Sequence, residues 1–510
     1  MVARVYYVLL ILWSSVFVMD GQSLSGPSHN KVVVCYVASW AAYRPDGGKF
    51  ELDNLDPSLC THLVYSFAGL DESTLSIKSL DPWQDLEKEY GKAGYKRLVA
   101  MKERFPHLKV TIAIGGWNEG SAKYSKMASN PESRAKFIQS VMFFLDLYKF
   151  DGLDLDWEYP AKRGGSAEDK ANYVSLVKEL KEAFEPKGYI LTAAFGAGKD
   201  TMEAAYDLAK LSRHLTFIHM MCYDYHGTWD GVVGANAPLR GLAPADDLSV
   251  EFTVKYMLAH GVSPYKMVLG LPMYGRTFIL QEPSEKIEFG VTAVKTTGFP
   301  GPWTKENGFM GYNEICMEIS NKSSQWKQYW HEQSATPYLA DGNRVIAYDN
   351  PRSIAAKIKL AMDYKLGGLM VWSIDTDDFK GDCAEEPGAY RDFVDRYNKI
   401  LGDPVLTEAL KNLKLPDVSR MENLGRRAAY VVSNDKLHLR LPEPKFSNYP
   451  LLRTINEATS IALEETRIMD EMARVTKENE IVGREPNSAP ISMGSVFICS
   501  CMFFLILFQF

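Results

Sequence analysis

Between residues 31 and 400 short apolar runs alternate with stretches of helical periodicity. The runs are Val32–Tyr36, His62–Phe67, Lys109–Gly115, Gly152–Glu158, Ile190–Phe195, Phe217–Tyr223, Met267–Leu271 and Gly368–Trp372. Each is rich in Val, Ile, Leu or aromatic residues, and most are separated by segments long enough for a helix. After the fourth run Tyr173, Leu176, Val177, Leu180 and Phe184 fall at helical spacing, and after the eighth Phe393, Val394, Tyr397, Ile400 and Leu401 do the same. Eight strand-then-helix units predict an α/β protein, a (β/α)8 TIM barrel. An open doubly wound sheet is the alternative, weakened because no glycine-rich phosphate loop follows the first strand.

Two intervals depart from this rhythm. The gap between the seventh and eighth runs, about 275–345, is too long for a loop and predicts a small α+β insertion domain. Beyond Gly402-Asp403-Pro404, Asn456–Val482 predicts an amphipathic helix with Ile461, Ile468, Met472 and Val475 on one stripe. Residues 403–487 read as a stalk, a docking segment or packing, with no chemistry of their own.

The ends have a different character. Arg4 precedes an apolar run, Val5–Val18, which reads as a secretory signal peptide ending near Gly21, with a membrane anchor as the alternative. At the other end the small triplet Asn487-Ser488-Ala489, a spacer to Ser495 and the apolar run Val496–Phe510 resemble a GPI-attachment signal over 488–510, with Asn487 as the lipid-anchor site. A retained tail anchor is the alternative.

Composition narrows the function. With 57 Lys and Arg against 64 Asp and Glu the 510-residue chain carries a net charge of −7 and lacks the basic footprint of a nucleic-acid binder. Seven cysteines are too few for a disulfide-built scaffold of this length.

The chemistry concentrates in the fourth run, Phe150-Asp-Gly-Leu-Asp-Leu-Asp-Trp-Glu-Tyr-Pro160. Side chains alternate along a strand, so Asp154, Asp156 and Glu158 share one face and Leu155 and Trp157 the other. The apolar pair must pack outward against helices, which aims the acids into the barrel. Asp151 has the opposite parity and reads as structural. Same-face neighbours lie about 6.6 Å apart along the strand, which makes Asp156 the middle member and sets Asp154 deeper. Glu158 is nearest the C-terminal end, where barrel active sites sit. Neighbouring carboxylates are expected to raise its pKa, as suits a general acid. The run has no His and Cys at metal-ligand spacing, although aspartates alone can hold Mg²⁺.

This strand resembles glycoside hydrolase family 18, the chitinase family, whose Asp-x-x-Asp-x-Asp-x-Glu motif is complete here as Asp151, Asp154, Asp156 and Glu158. The resemblance continues through Ser66-Phe67-Ala68-Gly69, Ile114-Gly115-Gly116-Trp117-Asn118, Met221-Cys222-Tyr223-Asp224-Tyr225-His226-Gly227, Met273-Tyr274-Gly275-Arg276 and Met370-Val371-Trp372. It is closest to the animal and arthropod branch, with the inserted α+β domain and no chitin-binding module. It implies a retaining, substrate-assisted hydrolysis of chitin or chitooligosaccharides without cofactor or metal. Glu158 would be the acid and base, Asp156 and Tyr223 would orient the substrate acetamide, and Asp154 would balance charge behind Asp156. Sugar contacts would come from Tyr36, Phe67, Gly116, Tyr159, Met221, Asp224, Tyr274 and Arg276. Trp372 would form the floor, with Trp40, Trp83, Trp117 and Trp229 as platforms, against the plainer reading of each tryptophan as core.

The resemblance also implies disulfides Cys35–Cys60 and Cys316–Cys383, which leaves Cys222 as a buried thiol once Cys499 and Cys501 depart with the tail. Asn321-Lys322-Ser323 is the only N-glycosylation sequon. A chitinase-like lectin and an endo-acting N-glycan hydrolase are the competing functions. A monomer is assumed.

Overall fold

The computed structural model describes residues 25–283, 287–321, 323–383, 392, 395, 398, 429–433, 436–440 and 448–482. Both chain ends, with Asn487 and the tail, lie outside the described residues, as do Phe393, Val394, Tyr397, Ile400 and Leu401 of the expected helix.

Eight parallel strands close into a barrel: β1 Val32–Ala38, β2 His62–Asp71, β3 Lys109–Gly115, β4 Gly152–Asp156, β5 Ile190–Gly196, β6 Phe217–Met221, β7 Met267–Pro272 and β8 Gly368–Trp372. Each pairs with its sequence neighbour, and β1 closes the ring against β8 (Val32 opposite Gly368) and β2 (Val34 opposite His62). Covered on both faces, the strands are almost wholly buried, which is why they read as apolar runs. Two strands stop sooner than the pattern predicts. β4 ends at Asp156 and β6 at Met221, so Glu158 and Tyr223 sit on the loops above them.

Helices α1 Gly94–Arg104, α2 Pro131–Tyr148, α3 Asp169–Phe184, α4 Leu208–His214 and α5 Val250–Ala259 surround the ring. α2 starts at Asn130-Pro131, where the Asn side chain accepts the Ser133 N–H and proline occupies the first turn. Leu155 and Trp157 face outward, with Trp157 packed on Tyr124 and Tyr173 from the helical layer. Asp151 lies below β4, where it accepts the Val110 N–H at 2.7 Å and pairs with Lys102 at 3.0 Å.

Between β7 and β8 a five-stranded antiparallel sheet forms the insertion. Its order is Phe309–Gly311, Tyr274–Ile279, Arg344–Ala347, Thr336–Asp341 and Lys327–His331, with helix α6 Tyr312–Ser320 beside it. Asn321 caps α6 from an exposed position. Cys35 is bonded to Cys60 and Cys316 to Cys383, while Cys222 is a buried free thiol.

Beyond β8 the chain's last described helix, α8 Pro450–Val482, packs on α7 (Pro351–Asp363), the helix that leads into β8. α8 begins six residues before the expected start because tertiary contacts fix its first turn. Leu451 and Leu452 donate their N–H groups to the Asp377 carboxylate at 3.3 and 2.9 Å, and Arg453 pairs with Asp56 at 3.0 Å. Leu451, Leu452, Ile455, Ala458, Ile461 and Ala462 are buried at helical spacing. The side chains of Ile468, Met472 and Val475 lie outside the described residues. Among the described residues no helix is long and apolar enough to cross a membrane.

Candidate active site

Inside the barrel Val34, Tyr36, Val64, Ala113, Val268 and Met370 form a small apolar plug, with Phe67, Met221, Tyr223 and Trp372 packed against it. The acids of β4 rise through this plug toward the C-terminal mouth.

Asp154 is the deepest and is fully buried. Its oxygens accept the Tyr36 hydroxyl at 2.6 Å and the Thr192 hydroxyl at 2.5 Å, and His219 Nδ1 lies 3.1 Å away. Burial alone opposes its ionisation. The His219 ring and the two hydroxyls overcome that and hold its pKa below the ordinary carboxylate value. Both oxygens are thus committed to protein donors, which leaves little for a cation.

Asp156, one step higher, has an oxygen without a hydrogen-bond partner. Burial, then repulsion from Glu158 and Asp154, drives its pKa well above the usual range. Glu158 lies at the rim, and its pKa is pushed up to about 7. The leading cause is burial rather than the neighbouring carboxylates expected from the strand pattern. Asp224 adds to the rise, while Tyr159 and Arg163 oppose it.

Other loops complete the cleft. Tyr223 follows β6, its hydroxyl 4.0 Å from the Met370 sulfur. Asp224 next to it accepts the Tyr274 hydroxyl at 2.7 Å and Arg276 Nε at 2.8 Å. The Arg276 guanidinium lies 5.2 Å from the Trp229 ring and 5.4 Å from that of Tyr274. Tyr159 begins the loop above Glu158, and Met221 ends β6. At the β3 end Gly116 has φ +85° and donates its N–H to the Asp156 carbonyl at 2.8 Å; a Cβ there would stand 2.8 Å from the Phe67 ring.

The tryptophans divide by position. Trp372 is half-buried at the end of β8, 5.6 Å from Tyr36, 5.7 Å from Phe67 and 6.1 Å from Trp40. Trp40 stacks on Phe67 at 5.9 Å, and Trp83 stacks on Tyr43 at 6.2 Å. Trp40, Trp83, Trp117 and Trp229 are 43, 48, 59 and 43% exposed, which removes the core reading for these four.

The sequence pattern missed Thr192, His219, Arg163 and Tyr43. Thr192 and His219 stand out only as polar residues within apolar strands, and which face they share with Asp154 depends on cross-strand register, Asp154 lying opposite Thr192.

A (β/α)8 barrel with a column of acids opening into an aromatic-lined mouth has the arrangement of a barrel hydrolase. Residues 32–377 match the model of Glycosyl hydrolases family 18. The chain is 46% identical over 485 residues to Probable chitinase 2 of Drosophila melanogaster, across 92% of this chain and 88% of that protein. The Group IV chitinase of Ostrinia furnacalis in complex with allosamidin superposes with a TM-score of 0.66 and 39% identity, over 72% of this chain and 98% of that one. Human YKL-39, described as a pseudo-chitinase with retained chitooligosaccharide binding properties, gives 0.63 and 33%, over 69% and 95%. The chain belongs to glycoside hydrolase family 18.

Proposed function

We propose that the chain is an endochitinase that cleaves β-1,4 linkages between N-acetylglucosamine units of chitin or chitooligosaccharides with retention at the anomeric carbon. Glu158 gives its proton to the glycosidic oxygen as that bond breaks, and the acetamide oxygen of the substrate closes on the anomeric carbon. Asp156 accepts the acetamide N–H on its unengaged oxygen and orients the group, while Tyr223 donates its hydroxyl to the acetamide oxygen. Water then opens the ring formed, losing its proton to the Glu158 carboxylate, which restores the acid.

The observation that carries this reading is the pair at the mouth: a buried rim glutamate, whose pKa burial pushes up to about 7, beside an aspartate with an unengaged oxygen. The exposed tryptophans support a polymeric substrate. Incubation with chitohexaose and with a high-mannose glycoprotein, followed by product analysis, tests the reading. Shortened oligosaccharides and an intact glycoprotein are expected. Release of the glycan alone would make the chain an N-glycan hydrolase, and binding without turnover would make it a lectin.

We further infer export and attachment at the cell surface through a lipid on Asn487, with Asn321 glycosylated; the exposure of Asn321 supports the last. Release from cells by a phosphatidylinositol-specific phospholipase is the expected result, and persistence on the membrane would overturn the anchor.

A further inference from the structure

The loop after β4 carries a cation that the chemistry above leaves unused. Its polar, glycine-containing sequence, Ala161-Lys162-Arg163-Gly164-Gly165-Ser166, predicts a loose surface loop. It is pinned instead. Asp169, the first residue of α3, is fully buried, and its Oδ2 accepts the N–H groups of Ala161 at 3.2 Å and Ser166 at 2.9 Å. Its Oδ1 accepts the hydroxyls of Ser125 at 2.6 Å and Ser166 at 3.2 Å. At the start of the loop Ser121 Oγ donates to the Tyr159 carbonyl at 2.8 Å and accepts the Trp157 indole N–H at 2.7 Å.

Arg163 stands at the crest of this braced loop with φ +51°. Its guanidinium lies 3.5 Å from the centre of the Trp117 ring. Nη1 donates to the carbonyl oxygens of both Trp117, at 2.9 Å, and Glu158, at 3.0 Å. Trp117 is the most exposed of the cleft tryptophans, and such a ring is free to swing unless something holds it. A planar guanidinium stacks on an indole face and donates in its own plane at the same time, which an ammonium cannot do.

We propose that Arg163 is a positioning residue that locks the Trp117 platform to the backbone of the proton donor Glu158, so that a sugar stacked on Trp117 is held in fixed register with the acid. The proposal deepens the glycosidase reading and rests on it for the roles of Trp117 and Glu158. Pre-ordering of this kind lowers the ordering cost of substrate binding. Arg163 also acts through its charge. Glu158 faces Asp156 on its own segment, Asp224 and Tyr223 beyond β6 and Tyr206 before α4; its neighbour Tyr159, by hydrogen bonding, and Arg163, by charge, both favour its carboxylate.

The two contributions separate in Arg163→Met and Arg163→Lys, made in the full chain. With Arg163→Met, KM for chitohexaose rises about fivefold to tenfold, the expected size for a lost stacking contact and its ordering. The basic limb of the rate profile moves up by about half a pH unit, because the cation facing Glu158 is gone. Arg163→Lys returns the limb to its place but leaves KM raised. Calorimetric affinity for chitohexaose, measured with and without Arg163→Met in a Glu158→Gln background, reads the platform independently of turnover, and the same fivefold to tenfold loss is expected. A wild-type KM, limb and affinity in Arg163→Met would overturn the proposal. So would a fall in activity that follows melting temperature with the limb unmoved. A wild-type chain that binds chitohexaose without cleaving it would overturn the hydrolase reading, and the affinity comparison would still decide the clamp.

Discussion

The barrel treats its acids differently below and above Asp156. Below it, Asp154 is enclosed by hydroxyls from β1 and β5 and an imidazole from β6, three neighbours that favour the charged form. Above it, Glu158 meets a buried rim with little to stabilise a charge, and its pKa climbs to about 7. Burial is shared, so the difference lies in the donors. A strand that places carboxylates two residues apart can therefore fix one as an anion and keep another as an acid, with Asp156 between them answering to both.

The comparison can be broken at either end. Glu158→Gln removes the only proton donor of the proposal and should lower kcat on chitohexaose by about 10²- to 10⁴-fold with affinity retained; turnover near the wild-type rate would remove Glu158 from its role. Tyr36→Phe takes one donor from Asp154 and should cost about 1–3 kcal/mol of stability, measured by denaturant unfolding. Its pH dependence has a definite sign. Asp154 has a depressed folded pKa, so its contribution to stability is present above the ordinary carboxylate pKa and lost as pH falls through the folded value. Removing a donor raises the folded value, so Tyr36→Phe should lose that contribution at a higher pH than the wild type.

The mouth is probed more gently. Trp40→Ala should raise KM for chitohexaose about fivefold, on the scale of one aromatic contact, and leave kcat within about twofold. Equal loss in kcat would mean that Trp40 shapes the acids and does more than bind sugar. Asp151→Asn gives the smallest effect. It weakens the Lys102 pair below the strand, for about 1 kcal/mol of stability, and should leave kcat unchanged. A change in kcat would extend the catalytic column below the barrel.

These contrasts also mark what the chain order reveals. The alternation in β4 was enough to turn Asp154 and Asp156 inward and Leu155 outward, because a period of two is local. The ends of β4 and β6 were not, since apolar residues continue past the last ladder bond into loops that are themselves buried. His219 and Thr192 were hidden for a different reason: their meeting with Asp154 depends on the shear of a closed barrel, which no single strand encodes. Arg163 sits in a loop whose shape comes from Asp169 of the next helix. The start of α8 at Pro450 comes from Asp377, about seventy residues earlier in the chain.

The central claim is that burial at the rim leaves Glu158 a working acid near neutrality while Asp154 stays ionised beneath it. The pH dependence of kcat/KM on chitohexaose tests it most directly, since that ratio reports the essential groups of the free enzyme. The account predicts a basic limb with an apparent pKa of about 7, lost along with the activity in Glu158→Gln. A ratio that stays flat through pH 7 and well above it would contradict the account.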